Sequence, residues 1–218
     1  MIRVVVVDDE ALVRSGIGLI LRAAGDIDVV ATANGGDAMW EISLHHPDVV
    51  LLDIRMPDVD GLTVLNEVRA MRDPPAVAML TTFDADEYIE AALQAGASGF
   101  LLKDTDPQQL ARAVRALAGG AVVLGPSAAR LVLDDGGEPR AEAAAKIGRL
   151  SQRERDVLKL VAEGASDDDI AARLALTASA LTQQVNAILS KLMVESRVQA
   201  ALLAHAAGLF DEASGPWG

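Results

Sequence analysis

Five side chains stand where chemistry is possible. Asp8 and Asp9 follow the apolar run Val4–Val7, Asp53 follows Val49–Leu52, Thr81 follows Val77–Leu80, and Lys103 follows Phe100–Leu102. Three acids, one hydroxyl and one ammonium thus recur at the same kind of place, the carboxyl end of a short apolar segment. Carboxylates gathered at one edge repel one another and raise each other's pKa unless a cation sits among them. Such oxygen ligands suit a hard divalent ion, and Mg²⁺ binds through a few carboxylates while keeping several waters. A divalent ion and a lysine around one carboxylate can hold a phosphoryl group and neutralise its charge. An Asp-Asp pair alone is more simply a turn and a helix cap. The five positions together point to a phosphorylatable pocket.

These residues need a scaffold that brings strand ends together. The apolar runs Val4–Val7, Val29–Ala31, Val49–Leu52, Val77–Leu80 and Phe100–Leu102 are nearly continuous, as strands covered on both faces must be. Helical patterns alternate with them over Ala11–Ala23, Asp37–Leu44, Gly61–Met71, Asp86–Ala95 and Pro107–Leu117. Asp106 before Pro107 is a sound start signal for the last of these. Five βα units predict an α/β fold, a doubly wound five-stranded parallel sheet with right-handed crossovers. Ligands then sit beyond the carboxyl ends of the strands.

The 218 residues carry a net charge of −13, are 51% apolar and contain no cysteine. A disulfide framework, a thiol nucleophile and a Cys-ligated metal are excluded. No apolar run reaches the ~20 residues of a membrane span. The first residues turn acidic too soon for a signal peptide, so a cytoplasmic protein with no membrane partner is expected. Charge is uneven: residues 1–120 hold 9 basic and 19 acidic side chains, whereas 121–218 hold 10 and 13. Between the halves, Asp134-Asp135-Gly136-Gly137-Glu138-Pro139 reads as a break. The expected organisation is a domain at 1–120, a linker at 121–148, a small all-α four-helix domain at 149–210 and a tail at 211–218. His45, His46 and His205 are isolated and read as structural or solvated.

Residues 2–120 resemble the receiver domain of two-component response regulators, a flavodoxin-like fold. The resemblance lies in five ordered blocks: Val7-Asp8-Asp9-Glu10, Leu52-Asp53-Ile54-Arg55-Met56-Pro57, Asp60-Gly61, Thr81-Thr82-Phe83-Asp84 and Gly99-Phe100-Leu101-Leu102-Lys103-Asp104. It implies that Asp53 accepts a phosphoryl group from a sensor histidine kinase. It also implies that Asp8, Asp9, Asp53 and the Arg55 carbonyl hold Mg²⁺. Thr81 and Lys103 would bind phosphoryl oxygens, and Phe100 would be a rotating switch aromatic.

The second half shows helical patterns only. Ser151-Gln152-Arg153-Glu154 is a capping box, and Ser166 and Thr177 cap two further helices. Leu181, Val185, Ile188 and Leu192 follow helical spacing. This half resembles the LuxR-type helix-turn-helix domain through Leu150–Leu158, Val161–Gly164, Ile170–Leu174 and Val185…Ile188…Lys191-Leu192. Together the halves resemble the NarL/FixJ class of regulators. In that class a helix at about 178–192 enters the major groove, and one at about 197–207 mediates homodimer formation.

The recognition helix departs from the family pattern. Thr182 stands where lysine is usual, Gln184 where histidine is, and Ala180 where threonine is. The preceding helix opens with Asp167-Asp168-Asp169, which occupy the place where a DNA phosphate docks. Residues 146–210 hold 8 basic and 7 acidic side chains. Thr182, Gln183, Gln184, Asn186 and Lys191 are the expected DNA contacts, since Gln and Asn amides can pair with adenine. The expected function is phosphorylation-controlled transcription. The alternative is a regulator whose near-neutral helical domain binds a protein instead of DNA. No catalytic cluster is present in the second half, so an enzymatic output is not expected.

Overall fold

The computed structural model describes residues 1–81, 86–124 and 140–209. The motif residues 82–84, the break at 134–139 and the tail at 211–218 lie outside the described residues. Six strands form one parallel sheet: β1 Ile2–Val7, β2 Ile27–Ala33, β3 Val49–Asp53, β4 Ala76–Thr81, β5 Gly99–Leu102 and β6 Val123–Leu124. Their order is β2-β1-β3-β4-β5-β6. The sheet therefore has six strands, not the five expected. The extra strand is only two residues long and pairs Val123 with Gly99 and Leu124 with Phe100. Gly99 permits that approach, because a Cβ there would meet the Val123 carbonyl at 2.6 Å.

Among the described residues, five helices flank the sheet: α1 Ala11–Arg22, α2 Ala38–His45, α3 Gly61–Arg69, α4 Asp86–Gln94 and α5 Pro107–Ala118. Strand alternation sorts the core into two layers. Val5, Val7, Val50, Leu52, Val77, Met79 and Phe100 face α2, α3 and α4. Val4, Val6, Val49, Leu51, Ala78, Leu80 and Leu101 face α1 and α5. Both faces are dry, which is why these strands read as unbroken apolar runs rather than as alternating ones. The same alternation assigns sides at the functional edge. Asp8, Asp53 and Lys103 continue the parity of the α1/α5 layer, whereas Thr81 and Phe100 share the parity of the α4 layer.

The helical half contains α6 Arg140–Ile147, α7 Gln152–Ala162, α8 Asp167–Leu174, α9 Ala178–Leu192 and α10 Arg197–Ala206. Its core gathers Ile147, Leu150, Leu158, Ile170, Leu181, Val185, Ile188 and Leu192. The four helices expected over 149–210 are present, and Ala143 and Ile147 bring α6, from the segment expected as a partly helical linker, into the same core. The Ser151/Glu154 capping box forms as its sequence spacing predicts, and Ser166, Thr177 and Ser196 cap α8, α9 and α10. At the end of α9, Met193 adopts the left-handed region with φ of 56° while its side chain stays exposed. No described helix is long and apolar enough to cross a membrane.

The two halves are in contact. Val198 of α10 is buried in the same cluster as Ile89, Leu93 and Phe100, and Leu202 packs against that cluster. The helix expected to mediate dimerisation is thus covered along one face by the first half of its own chain.

Candidate functional site

The strand order decides which carboxylates meet. In β1, β3, β4 and β5 the carboxyl ends all point one way, and β1 and β3 flank the point where the winding reverses. Asp8 leaves the end of β1 and Asp53 closes β3. Lys103 follows β5, with its backbone N–H donating to the Thr81 carbonyl at 2.9 Å. The Lys103 ammonium lies 2.9 Å from Asp8 Oδ2, 3.0 Å from Asp53 Oδ2 and 3.5 Å from Glu10 Oε1. Asp8 is completely buried and Asp53 nearly so, while the Lys103 side chain is 14% exposed. Thr81, also buried, ends the adjacent strand.

Local backbone geometry fixes this arrangement. Glu10 N–H donates to Asp8 Oδ1 at 2.8 Å, and Arg14 donates to the Asp8 carbonyl. The Arg55 N–H donates to the Asp53 carboxylate. Gly61 opens α3 directly against β3, where a Cβ would stand 2.2 Å from the Asp53 carbonyl. Only glycine fits there, which accounts for the Asp60-Gly61 block. Asp60 caps the same helix by accepting from Leu62 N–H at 3.2 Å.

Burial pushes the Asp53 carboxyl above its ordinary range. Lys103 opposes that shift and the neighbouring Asp8 adds to it. Burial also disfavours the Lys103 ammonium, but its pairing with Asp8 and Asp53 wins and raises its pKa. Lysine therefore stays charged between two acids. One ammonium does not saturate this pocket. Asp8 Oδ2 is buried without an aligned hydrogen bond, and the Asp8, Asp9 and Glu10 carboxylates bring oxygens within 4.8 Å of one another. A buried carboxylate oxygen whose close partner is the Lys103 ammonium alone, beside further oxygen donors, is a good fit to a hard divalent cation.

The structure brings Asp8, Asp53 and Lys103 into direct contact and sets Thr81 at the next strand end. Asp9 lines an open cleft of about 480 Å³ together with Arg55, Met56, Pro57, Asp60 and Tyr88. Phe100 lies in the core between Met79 and Leu124 in register. Sequence reasoning did not single out Glu10 as a pocket residue, although its place directly after Asp8-Asp9 was a usable signal. It also missed Tyr88, whose ring centroid lies 4.9 Å from the Arg55 guanidinium carbon. No spacing rule links a loop after β3 to α4.

The expected DNA-contact residues divide. Thr182 and Asn186 line a cleft of about 770 Å³ between the halves, opposite Asp48, Asp73 and Pro74. The Thr182 hydroxyl donates back to the Ala178 carbonyl at 3.0 Å. Gln183 is exposed and Gln184 half-buried. Lys191 is engaged with Glu154, both of whose carboxylate oxygens lie 2.7 Å from its ammonium. Asp167 has a distinct role. Its N–H donates to the Gly119 carbonyl at 2.8 Å, and its carboxylate is bidentate with Arg197, the longer contact being 3.1 Å. Arg197 also donates to the Gly120 carbonyl at 2.8 Å. Asp167, with Arg197, thus docks the N-terminus of α8 onto the C-terminal carbonyls of α5.

Comparison with known proteins agrees with both halves. Residues 4–115 match the response regulator receiver domain, and residues 148–204 match the bacterial regulatory proteins of the luxR family. The nitrate/nitrite response regulator protein NarL of Escherichia coli K12 is 33% identical over 208 residues, covering 95% of this chain and 96% of that protein. The probable transcriptional regulatory protein NarL of Mycobacterium tuberculosis is 40% identical over 211 residues, covering 96% of each. Among solved structures, the response regulator ChrA of a heme-sensing two-component system aligns over 94% of this chain and 96% of its own. Its TM-score is 0.54 and its identity 36%. With these matches spanning both domains in order, the chain belongs to the NarL/FixJ class of response regulators, a receiver domain joined to a LuxR-type helix-turn-helix DNA-binding domain.

Proposed function

We propose that this regulator is switched by phosphorylation of Asp53 and acts on DNA through α9. One observation supports this most: a lysine ammonium held between two buried carboxylates at the end of adjacent strands. The donor is the phosphohistidine of a cytoplasmic sensor kinase domain. An Asp53 carboxylate oxygen forms the new bond to phosphorus, the P–N bond breaks, and the imidazole leaves with the electron pair and takes a proton from solvent. Lys103 already faces the Asp53 oxygen and neutralises charge on the phosphoryl group. Thr81 offers its hydroxyl from the neighbouring strand end. Asp8, Asp9, Asp53 and the Arg55 carbonyl would hold Mg²⁺, which when bound supplies further neutralisation of the phosphoryl oxygens.

The output follows from what stands across the cleft from α9, where Thr182 and Asn186 are exposed but face the first half of the chain. With Thr182 and Asn186 turned toward the receiver domain, this arrangement opposes entry of the helix into a major groove. Phosphorylation that draws Thr81 and Phe100 toward the pocket reshapes the layer on which Val198 and Leu202 pack, and so favours release of the helical domain. Freed α10 helices then pair two copies, and two-site attachment to a repeat gains avidity. The experiment is phosphotransfer. Acetyl phosphate and Mg²⁺ should label Asp53 and tighten duplex binding, and a protein that is labelled with no change in DNA affinity would overturn the coupling.

A further inference from the structure

The outward face of α9 is chemically uniform. Leu181, Val185, Ile188 and Leu192 bury one side of the helix. Opposite them, at helical spacing, stand Ser179, Gln183, Asn186 and Ser190, all exposed. Each of these four is neutral and polar. Thr182 flanks the stripe and lines the same cleft as Asn186, one turn on, so the two face the same way. Its hydroxyl donates to the Ala178 carbonyl at 3.0 Å, which leaves its methyl as the group it offers outward. The only charged residue of α9 is Lys191. It stands off the stripe, and its ammonium lies 2.7 Å from both carboxylate oxygens of the buried Glu154.

Such a face discriminates between base pairs. Guanine is read most often by an Arg or Lys on its O6 and N7 acceptors. Asn and Gln amides pair bidentately with N6 and N7 of adenine, and a Thr methyl packs on the thymine methyl. Resting on the reading of α9 as the DNA-contacting helix, we infer that α9 reads consecutive A·T pairs and makes no cationic contact to guanine. Gln183 and Asn186 each take an adenine edge, and the Thr182 methyl meets a thymine. Gln183 and Asn186 are separated by the same interval as helix residues that meet successive bases in a zinc finger. A guanine at either position presents two acceptors, so the amide carbonyl faces an oxygen and one of its two bonds is lost. The partner is thus a duplex with an A·T half-site.

The test is selection from a random duplex library by the full chain after treatment with acetyl phosphate and Mg²⁺, with sequencing of the bound fraction. Wild-type protein should enrich adjacent A·T pairs. Gln183→Ala and Asn186→Ala should each relax the preference at a single position by about tenfold. Asn186→Arg should move the preference at its position from adenine to guanine, which a side chain with a merely structural role would not do. Both sites are exposed, and circular dichroism checks that the variants are folded. The inference is overturned if wild-type protein enriches G·C pairs or binds duplexes without sequence preference. It is also overturned if the alanine variants weaken all sequences equally, or if Asn186→Arg keeps the wild-type preference. Each of these results leaves α9 standing as the DNA element. Absence of duplex binding by the wild-type chain overturns that reading instead, and this inference with it.

Discussion

Replacing Asp167 with asparagine should open the contact between the two domains and raise the affinity of unphosphorylated protein for duplex DNA. The substitution preserves shape and leaves the Asp167 N–H on the Gly119 carbonyl. It removes the charge from a bidentate pair whose side chains are 40% and 25% exposed. Fully exposed pairs contribute ~0–1 kcal/mol, whereas hydrogen bonds to charged groups contribute ~1.5–3 kcal/mol. A partly exposed pair that keeps one neutral hydrogen bond should lose about 1 kcal/mol, which shifts the closed-to-open ratio about fivefold. Apparent affinity scales with the fraction able to bind, so the Kd for a duplex of unselected sequence should fall by a similar factor while the closed form predominates. Removing an acid beside DNA also helps by simple electrostatics. Asp168→Asn makes the same charge change on the same turn, at an exposed residue, and serves as the reference. Fluorescence anisotropy at several salt concentrations reads both. Equal gains in the two variants would refute the role of the Asp167–Arg197 pair in closure.

Three further outcomes follow from the pocket and the helix ends. Lys103→Met leaves two buried carboxylates facing each other and should lower stability in urea denaturation by about 3 kcal/mol, with part of the loss recovered on adding Mg²⁺. The Asp53 pKa is raised in the folded state, so its contribution to stability is complete below the unfolded carboxylate pKa and is lost as pH rises through the folded value. Asp53→Asn should therefore raise the thermal midpoint at neutral pH and flatten its fall between acid and neutral conditions, as read by circular dichroism. Met193→Gly relieves a left-handed residue at the end of α9 and should stabilise the helical domain by ~0.5–1 kcal/mol in the same assay.

The receiver strands were legible because sheets covered on both faces leave continuous apolar runs, and the four valines at 4–7 are all fully buried. The pocket was legible because its members fall at strand ends, where topology alone makes them neighbours. β6 was not, since two residues carry no periodicity and Val123-Leu124 becomes a strand only by pairing with Gly99 and Phe100. The acids at 167–169 read from sequence as an obstacle to phosphate docking. The contact of Asp167 with Arg197 and the α5 terminus depends on how the domains meet, which local patterning does not encode. Lys191 stands for the same limit. Its spacing on the recognition helix suits a DNA contact, while the fold gives it the Glu154 carboxylate of the capping box.

The most direct test of the pocket is the intact mass of the protein after incubation with acetyl phosphate and Mg²⁺. One added phosphoryl group, absent when Mg²⁺ is chelated and absent in Asp53→Ala, is the predicted result. An unchanged mass in the wild-type chain, or undiminished labelling of Asp53→Ala, would contradict it.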